Sequence, residues 1–177
     1  MRKKWLALAL SLTMVAGCLT GCGGSDSTTS NTNSGSSSND SAKVETLADG
    51  GGKVLNIYVW NDEFSSRFEK YYPDYDKSTK SIGDVKVNFI QNANEGNNYQ
   101  DKLDAALKAQ DSASADDKVD MFLCEMDYVN KYTNTDKALD VKALGLTDED
   151  MSQMYDYTKQ AATGVDGVLR GVSWQGC

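Results

Sequence analysis

The chain contains no histidine, a single proline (Pro73), and 18 basic residues against 26 acidic ones. Without histidine there is no Ser-His-Asp triad and no imidazole ligand for zinc. The shortage of cations argues against nucleic acid or anionic headgroups as partners, since both need a concentrated positive surface. The apolar run "WLALALSLTMVAG", Trp5 to Gly17, is interrupted by Ser11 and Thr13 and falls short of the roughly 20 residues a transmembrane helix needs. Cysteine is sparse in the body of the chain. Only Cys124 and Cys177 occur there, and nothing in their spacing demands a disulfide.

What is present at the start is an export signal. Arg2, Lys3 and Lys4 precede the apolar run, and small residues and cysteine follow it, the tripartite layout of a secretory leader. Cys18 and Cys22 each end a box of an aliphatic residue, a small or hydroxyl residue and glycine, "VAGC" and "LTGC". Both resemble the bacterial lipobox, whose cysteine is lipidated on sulfur and becomes the mature N-terminus. Cys22 is the expected site, because it allows the longer apolar region and is followed at once by the flexible "GGSDS"; Cys18 is the alternative. A zinc clip from the pair fits poorly, since four ligands are usual. Removal of residues 1–21 takes away three of the 18 basic residues and no acidic one, leaving 15 against 26, a net charge of about −11. A solvated acidic surface that maintains solubility accounts for this balance.

Residues 22–52 form the second expected segment, a lipidated cysteine and a Ser/Thr/Gly/Asn tether that lacks the apolar surface to offset its ordering entropy. At about 30 residues it would hold the domain about 30 Å from its anchor. Its "DGGGKV" is no phosphate loop, because Val54 stands where Ser or Thr is required and the glycines precede a strand. The folded part spans 53–177, enough for one modest core. "KVLNIYVW" (53–60) is β-branched and aromatic and predicts a buried strand. Asn61 and Asp62 can cap a helix carrying Phe64, Phe68, Tyr71 and Tyr72, closed by Pro73. Further expected elements are a strand over 84–91, a helix over 98–110 with Tyr99, Leu103, Ala106 and Leu107 on one face, a strand over 118–125 and a short helical piece over 127–132. Thr147 and Asp150 form an acidic capping box ahead of a helix with Met151, Met154, Tyr155, Thr158 and Ala162. A turn at Asp166-Gly167 leads to a fourth strand, "VLRGVSWQ" (168–175). Strands alternating with helices predict an α/β class with a mostly parallel sheet.

Ligands of such sheets lie outside the carboxyl ends of the strands, where strand order reverses. With the order 2-1-3 that crevice opens between "WNDEF" and "CEMDY", two exits dense in carboxylates, amides and aromatics. A polyhydroxylated ligand suits them: carboxylates and amides bond fixed hydroxyls, and an aromatic face covers the C–H side of a sugar ring. Asn61 or Asp62 can equally be a plain cap, and Trp60 at the end of a buried strand is more often core than site. Glu125 and Asp127 would repel each other directly after a buried strand without a donor between them, which points to binding. Tyr128 and Trp174, the latter beside Gln175, stand open between both roles. A glycosidase is the competing class, but its two carboxylates must face each other across a bond about 5 Å or more apart, which neighbours at i and i+2 meet badly. "DSASADDKVD" lacks the glycine and glutamate of a calcium loop. No metal or cofactor is expected.

The lipobox and tether, "LNIYVWNDEF", "YQDKLDAALKAQDSASADDKVDMFLCEMDY", "ALDVKALGLTDEDM" and "GVLRGVSWQ", in that order, together resemble the amino-terminal portion of extracellular solute-binding proteins of the carbohydrate ABC-transporter type, the maltose-binding-protein-like group. The resemblance covers essentially all of residues 55–175. It implies two α/β lobes joined by crossing strands, of which this chain would carry the first, a periplasmic-binding-protein-like lobe, with the second absent. It implies no enzymatic activity but a lipid-anchored sugar-capture component on the outer side of the cell membrane. The expected partners are an oligosaccharide, ABC permease subunits and the bilayer, the last through the anchor. An extracellular glycoside hydrolase and a binding protein for another solute are the alternatives. Carried over residue by residue, it places Asn61, Asp62 and Glu63 after the first strand, and Glu125 and Asp127 with Tyr128 after the third, at the ligand. It also makes Trp174 and Gln175, on the first crossing strand, cleft-edge candidates.

Overall fold

The computed structural model describes residues 50–175. The expected leader, the expected lipidation site Cys22 with its alternative Cys18, nearly all of the expected tether, and Cys177 lie outside the described residues. The described part is an α/β fold in which helices flank a mixed five-stranded sheet of order β2-β3-β4-β1-β5. β1 (Val54–Val59) is central and pairs in parallel with β4 (Val85–Gln91) and β5 (Met121–Phe122). Those three segments stand in the anticipated 2-1-3 order. Between β1 and β4 lie α1 (Glu63–Tyr71) and the short hairpin β2 (Tyr75–Asp76) and β3 (Ser81–Ile82). β3 runs antiparallel to β4, so the hairpin makes the sheet mixed.

The two faces of β1 sort the core by alternation. Ile57 and Val59, both fully buried, pack with Val87 and Leu123 on the face covered by Phe64 and Phe68 of α1. Tyr58 packs on the other face with Tyr99, Leu103 and Leu107 of α2 (Asn98–Ala109) and Tyr132 of α3 (Val129–Thr133). The chain steps one way from β1 to β4 and back past β1 to β5, so crossovers of one hand put α1 and α2 on opposite faces. Trp60 is partly buried, packs against both clusters and meets Tyr99 edge-on at 5.4 Å.

At the other end of β1 the register is pinned by one buried amide. Asn56, 3% exposed, donates through Nδ2 to the carbonyls of Asp116 and Lys118, both at 2.8 Å. Its Oδ1 accepts from Asn88, its register partner on β4, at 2.8 Å, and its backbone N–H donates to the Asp120 carboxylate at 2.8 Å. Every polar atom of this buried side chain is therefore satisfied, and a slip of one residue would strand all of them.

Three expectations about the fold need correction, and two short strands were not expected. The third strand was expected over 118–125, but only Met121–Phe122 form a ladder, because the Asp120 carboxylate and the Asn56 side chain take over the pairing at its start. β2 and β3 have no counterpart in the pattern reading: Asp76 turns the chain by accepting from the N–H and hydroxyl of Ser78, at 2.7 and 2.6 Å, with too few apolar residues to signal a strand. The capping box forms, with Thr147 N–H and hydroxyl donating to Asp150 at 2.8 and 2.6 Å, yet turns follow it and α4 (Asp156–Ala161) begins only after the extended residue Tyr155. A box satisfies only the first N–H groups, and Tyr155, 64% exposed, gives the helix no buried face there. Finally, 168–175 is not a strand of the sheet. The segment folds back around Gly167 so that Leu169 bridges Thr163 and the Arg170 N–H donates to the Ala162 carbonyl at 2.9 Å. The Leu169 carbonyl accepts the Val141 N–H at 3.0 Å and the Arg170 N–H goes to Ala162, so neither pairs with β5.

Candidate functional site

Because β4, β1 and β5 are parallel, their carboxyl ends open on the same edge. Two loops of that edge are tied down just beyond the ladders: the Asn92 N–H donates to the Val59 carbonyl at 2.9 Å, and the Leu123 N–H to the Tyr58 carbonyl at 3.0 Å. Tyr99, at the first turn of α2, stands behind both. Its hydroxyl donates to the Leu123 carbonyl at 2.7 Å, with the Tyr58 carbonyl at 3.2 Å. Burial first, then neighbouring ionisable groups led by Tyr128, pushes that hydroxyl far above the ordinary tyrosine range, so it stays a donor.

Of the anticipated residues, Asn61 serves the helix: its Oδ1 accepts the Glu63 N–H at 3.0 Å. Asp62 holds the N-cap position without a side-chain capping bond and is exposed. Its carboxylate is thus at liberty to meet a ligand, and Asn61 can keep its turn while offering Nδ2. Glu63 faces the carboxyl-terminal segment, accepting from Arg67 at 2.9 Å and from Gln175 Nε2 at 3.1 Å. Trp174 lies edge-on to Phe64 at 5.2 Å with the Arg67 guanidinium 6.0 Å over its ring. Phe64, Arg67 and Trp174 line an open groove of about 430 Å³ beside α1, whose walls also include Phe68, Tyr71 and Tyr72.

Glu125, Asp127 and Tyr128 form a separate group after β5. Glu125 is half-buried and accepts from Asn94 Nδ2 at 3.2 Å. Asn94 thus supplies a donor to Glu125 but not to Asp127; it sits in "QNANEGNNY", whose run of amides after a strand is the signal in the sequence that points to it. Asp127 is exposed. Tyr128 packs against the α2 face with its hydroxyl enclosed and without a hydrogen-bond partner among the described residues, and burial foremost raises its pKa. Between β5 and Glu125, burial and then the charges of Asp127 and Glu125 push the Cys124 thiol up to about 12. A thiol so protonated at neutral pH is a poor nucleophile.

The expected residues fall into two groups, one around Glu63 and Gln175 and one around Glu125. No hydrogen bond, ion pair or ring contact among the described residues joins the Glu125 group to the Glu63–Gln175 group. Chemically the edge offers carboxylate acceptors and amide donors. Among the described residues no group of three metal-ligating side chains occurs, and no helix is long and apolar enough to cross a membrane. Comparisons with family models, with curated proteins and with solved structures find no match for this chain.

Proposed function

We propose that the chain is the first lobe of a lipid-anchored, sugar-capturing component of an ABC importer, periplasmic-binding-protein-like in architecture, working outside the membrane and handing an oligosaccharide to permease subunits without chemical change. The observation that carries this reading is the Asn94–Glu125 pair at the carboxyl ends of two parallel strands on either side of β1, where a doubly wound sheet takes its ligand. The lipobox-like "LTGC" and the acidic balance support the anchored, exported part of the proposal.

Calorimetry of the full chain in detergent against a panel of oligosaccharides, with chromatography of the same mixtures, tests it. Sugar should bind weakly, about millimolar or worse because one lobe contacts only one side of its ligand, and be recovered intact. A Glu125→Ala or Asp127→Ala exchange should weaken binding by about 1–3 kcal/mol, the cost of leaving a partner hydroxyl unpaired. Release of monosaccharide would establish a hydrolase instead, and tight binding of amino acids alone would establish another solute class. Unchanged affinity in both variants would reduce the two carboxylates to surface charges. For the anchor, mass spectrometry of membrane-extracted protein should find a diacylglyceryl adduct on Cys22. A Cys22→Ser chain that remains fully lipidated would move the site to Cys18.

A further inference from the structure

The loop between β4 and α2 is held on both sides of Asn94. The Asn92 N–H donates to the Val59 carbonyl at 2.9 Å, Asn98 Nδ2 to the Ala93 carbonyl at 3.2 Å, and the Asn98 N–H to the Glu95 carbonyl at 2.9 Å. Gly96 and Asn97 then turn the chain with φ of 54° and 67°. Asn97 is one of two non-glycine residues among those described with positive φ, a conformation that asparagine tolerates better than most L residues. The exposed Asn94 is therefore carried on a defined loop, and its amide reaches Glu125 across the end of β1.

We infer that Asn94 is a ligand-selecting residue, and that its amide together with the Glu125 carboxylate recognises two adjacent hydroxyls on one sugar ring. This rests on the sugar-binding reading above and adds to it a residue and a hydroxyl pattern. An ionised carboxylate only accepts hydrogen bonds, so Glu125 and Asp127 alone can take protons from hydroxyls but give none back. The Asn94 amide supplies the missing donor beside a carboxylate oxygen. At 3.2 Å the bond between them is at the long end of the N–H···O range, so a hydroxyl can enter by accepting from Nδ2 and donating to Glu125. Its neighbour on the ring then donates to Asn94 Oδ1 or to the second Glu125 oxygen, neither of which accepts a hydrogen bond among the described residues. A single hydroxyl would satisfy only half of the pair.

The test is an NMR titration of the full chain in detergent with methyl glycosides of common hexoses, each compared with monodeoxy analogues lacking one member of an adjacent hydroxyl pair. The unaltered chain should prefer the parent glycoside over the relevant analogue. Asn94→Ala should weaken the parent about fivefold, the equivalent of one neutral hydrogen bond, while leaving the analogue nearly unaffected, so that the preference disappears. Asn94→Asp, which keeps the shape but sets a second carboxylate beside Glu125, should weaken the parent further. If Asn94→Ala keeps the preference, or weakens parent and analogue equally, the inference is overturned while the sugar-binding reading survives. If no glycoside and no oligosaccharide of the wider panel shifts any resonance of the unaltered chain, both fall together.

Discussion

Truncation of Tyr99 to alanine should cost about 3–5 kcal/mol of unfolding free energy, the range for removing a buried aromatic ring. Against the 5–15 kcal/mol typical of a whole domain, that leaves the protein marginal. Tyr99 is fully buried, anchors the cluster formed with Leu103, Leu107, Val119 and Tyr132, and stands edge-on to Trp60. A cavity there would undercut α2 and β1 together. Tyr99→Phe should cost less, about 1–2 kcal/mol, because it removes only the donor to the Leu123 carbonyl while the Tyr58 carbonyl still accepts from the Leu123 N–H. Urea unfolding followed by tryptophan fluorescence reports both. An alanine variant within 1 kcal/mol of the parent would contradict the assignment of Tyr99 to the centre of this core, and equal losses in the two variants would transfer the effect from packing to the hydroxyl.

The second large effect is expected at Gly164, for reasons of space. A Cβ there would lie 2.5 Å from the Thr133 carbonyl oxygen, 2.6 Å from Arg170 Nη1 and 2.8 Å from Asp166 Oδ1. The two side-chain atoms belong to the pair in which Arg170 donates to both Asp166 oxygens, at 2.7 and 2.6 Å, and which holds the Asp166 carboxyl below the ordinary carboxylate range. The carbonyl cannot yield so easily, since it belongs to the last residue of α3, next to the buried Tyr132. Gly164→Ala should therefore destabilise by about 1–3 kcal/mol through overpacking. Gly167 makes the contrast: its φ of 79° is the whole difficulty, with nothing within 4 Å of an added Cβ, so Gly167→Asn should be tolerated far better. Thermal unfolding of the two variants side by side decides the matter. A Gly167 substitution more damaging than Gly164→Ala would mean that backbone conformation, not the approach to Thr133, governs this turn.

What the linear sequence revealed and what it concealed divide along the range of the interactions. The strand over 53–60, the helix after Asn61 and the helix from Asn98 were legible because periodicity, caps and Pro73 act over a few residues, and the folded chain keeps them as β1, α1 and α2. The local Thr147–Asp150 exchange was legible in the same way, but it could not say that Tyr155 would lie exposed and delay the helix. Asn61 could be identified as a capping residue, yet only the folded chain shows that it, rather than Asp62, makes the bond.

Composition and local pattern by themselves determined the α/β class, the export signal expected at the start, the exclusion of histidine chemistry, and the carboxylates of the exits as candidates. Tertiary structure alone decided which of those candidates meet. It packed the partly buried Trp60 against both core clusters, turned Glu63 toward Gln175, and joined Glu125 to Asn94 across 31 positions of sequence. It also closed 162–170 into a turn of its own, so that "VLRGVSWQ" did not extend the sheet. The physical reason is the same in each case. A side chain's hydrogen-bonding capacity is inscribed in its residue type, but which partner satisfies it depends on strand order and on the helices packed against each face, and these arise from burial summed over the whole core.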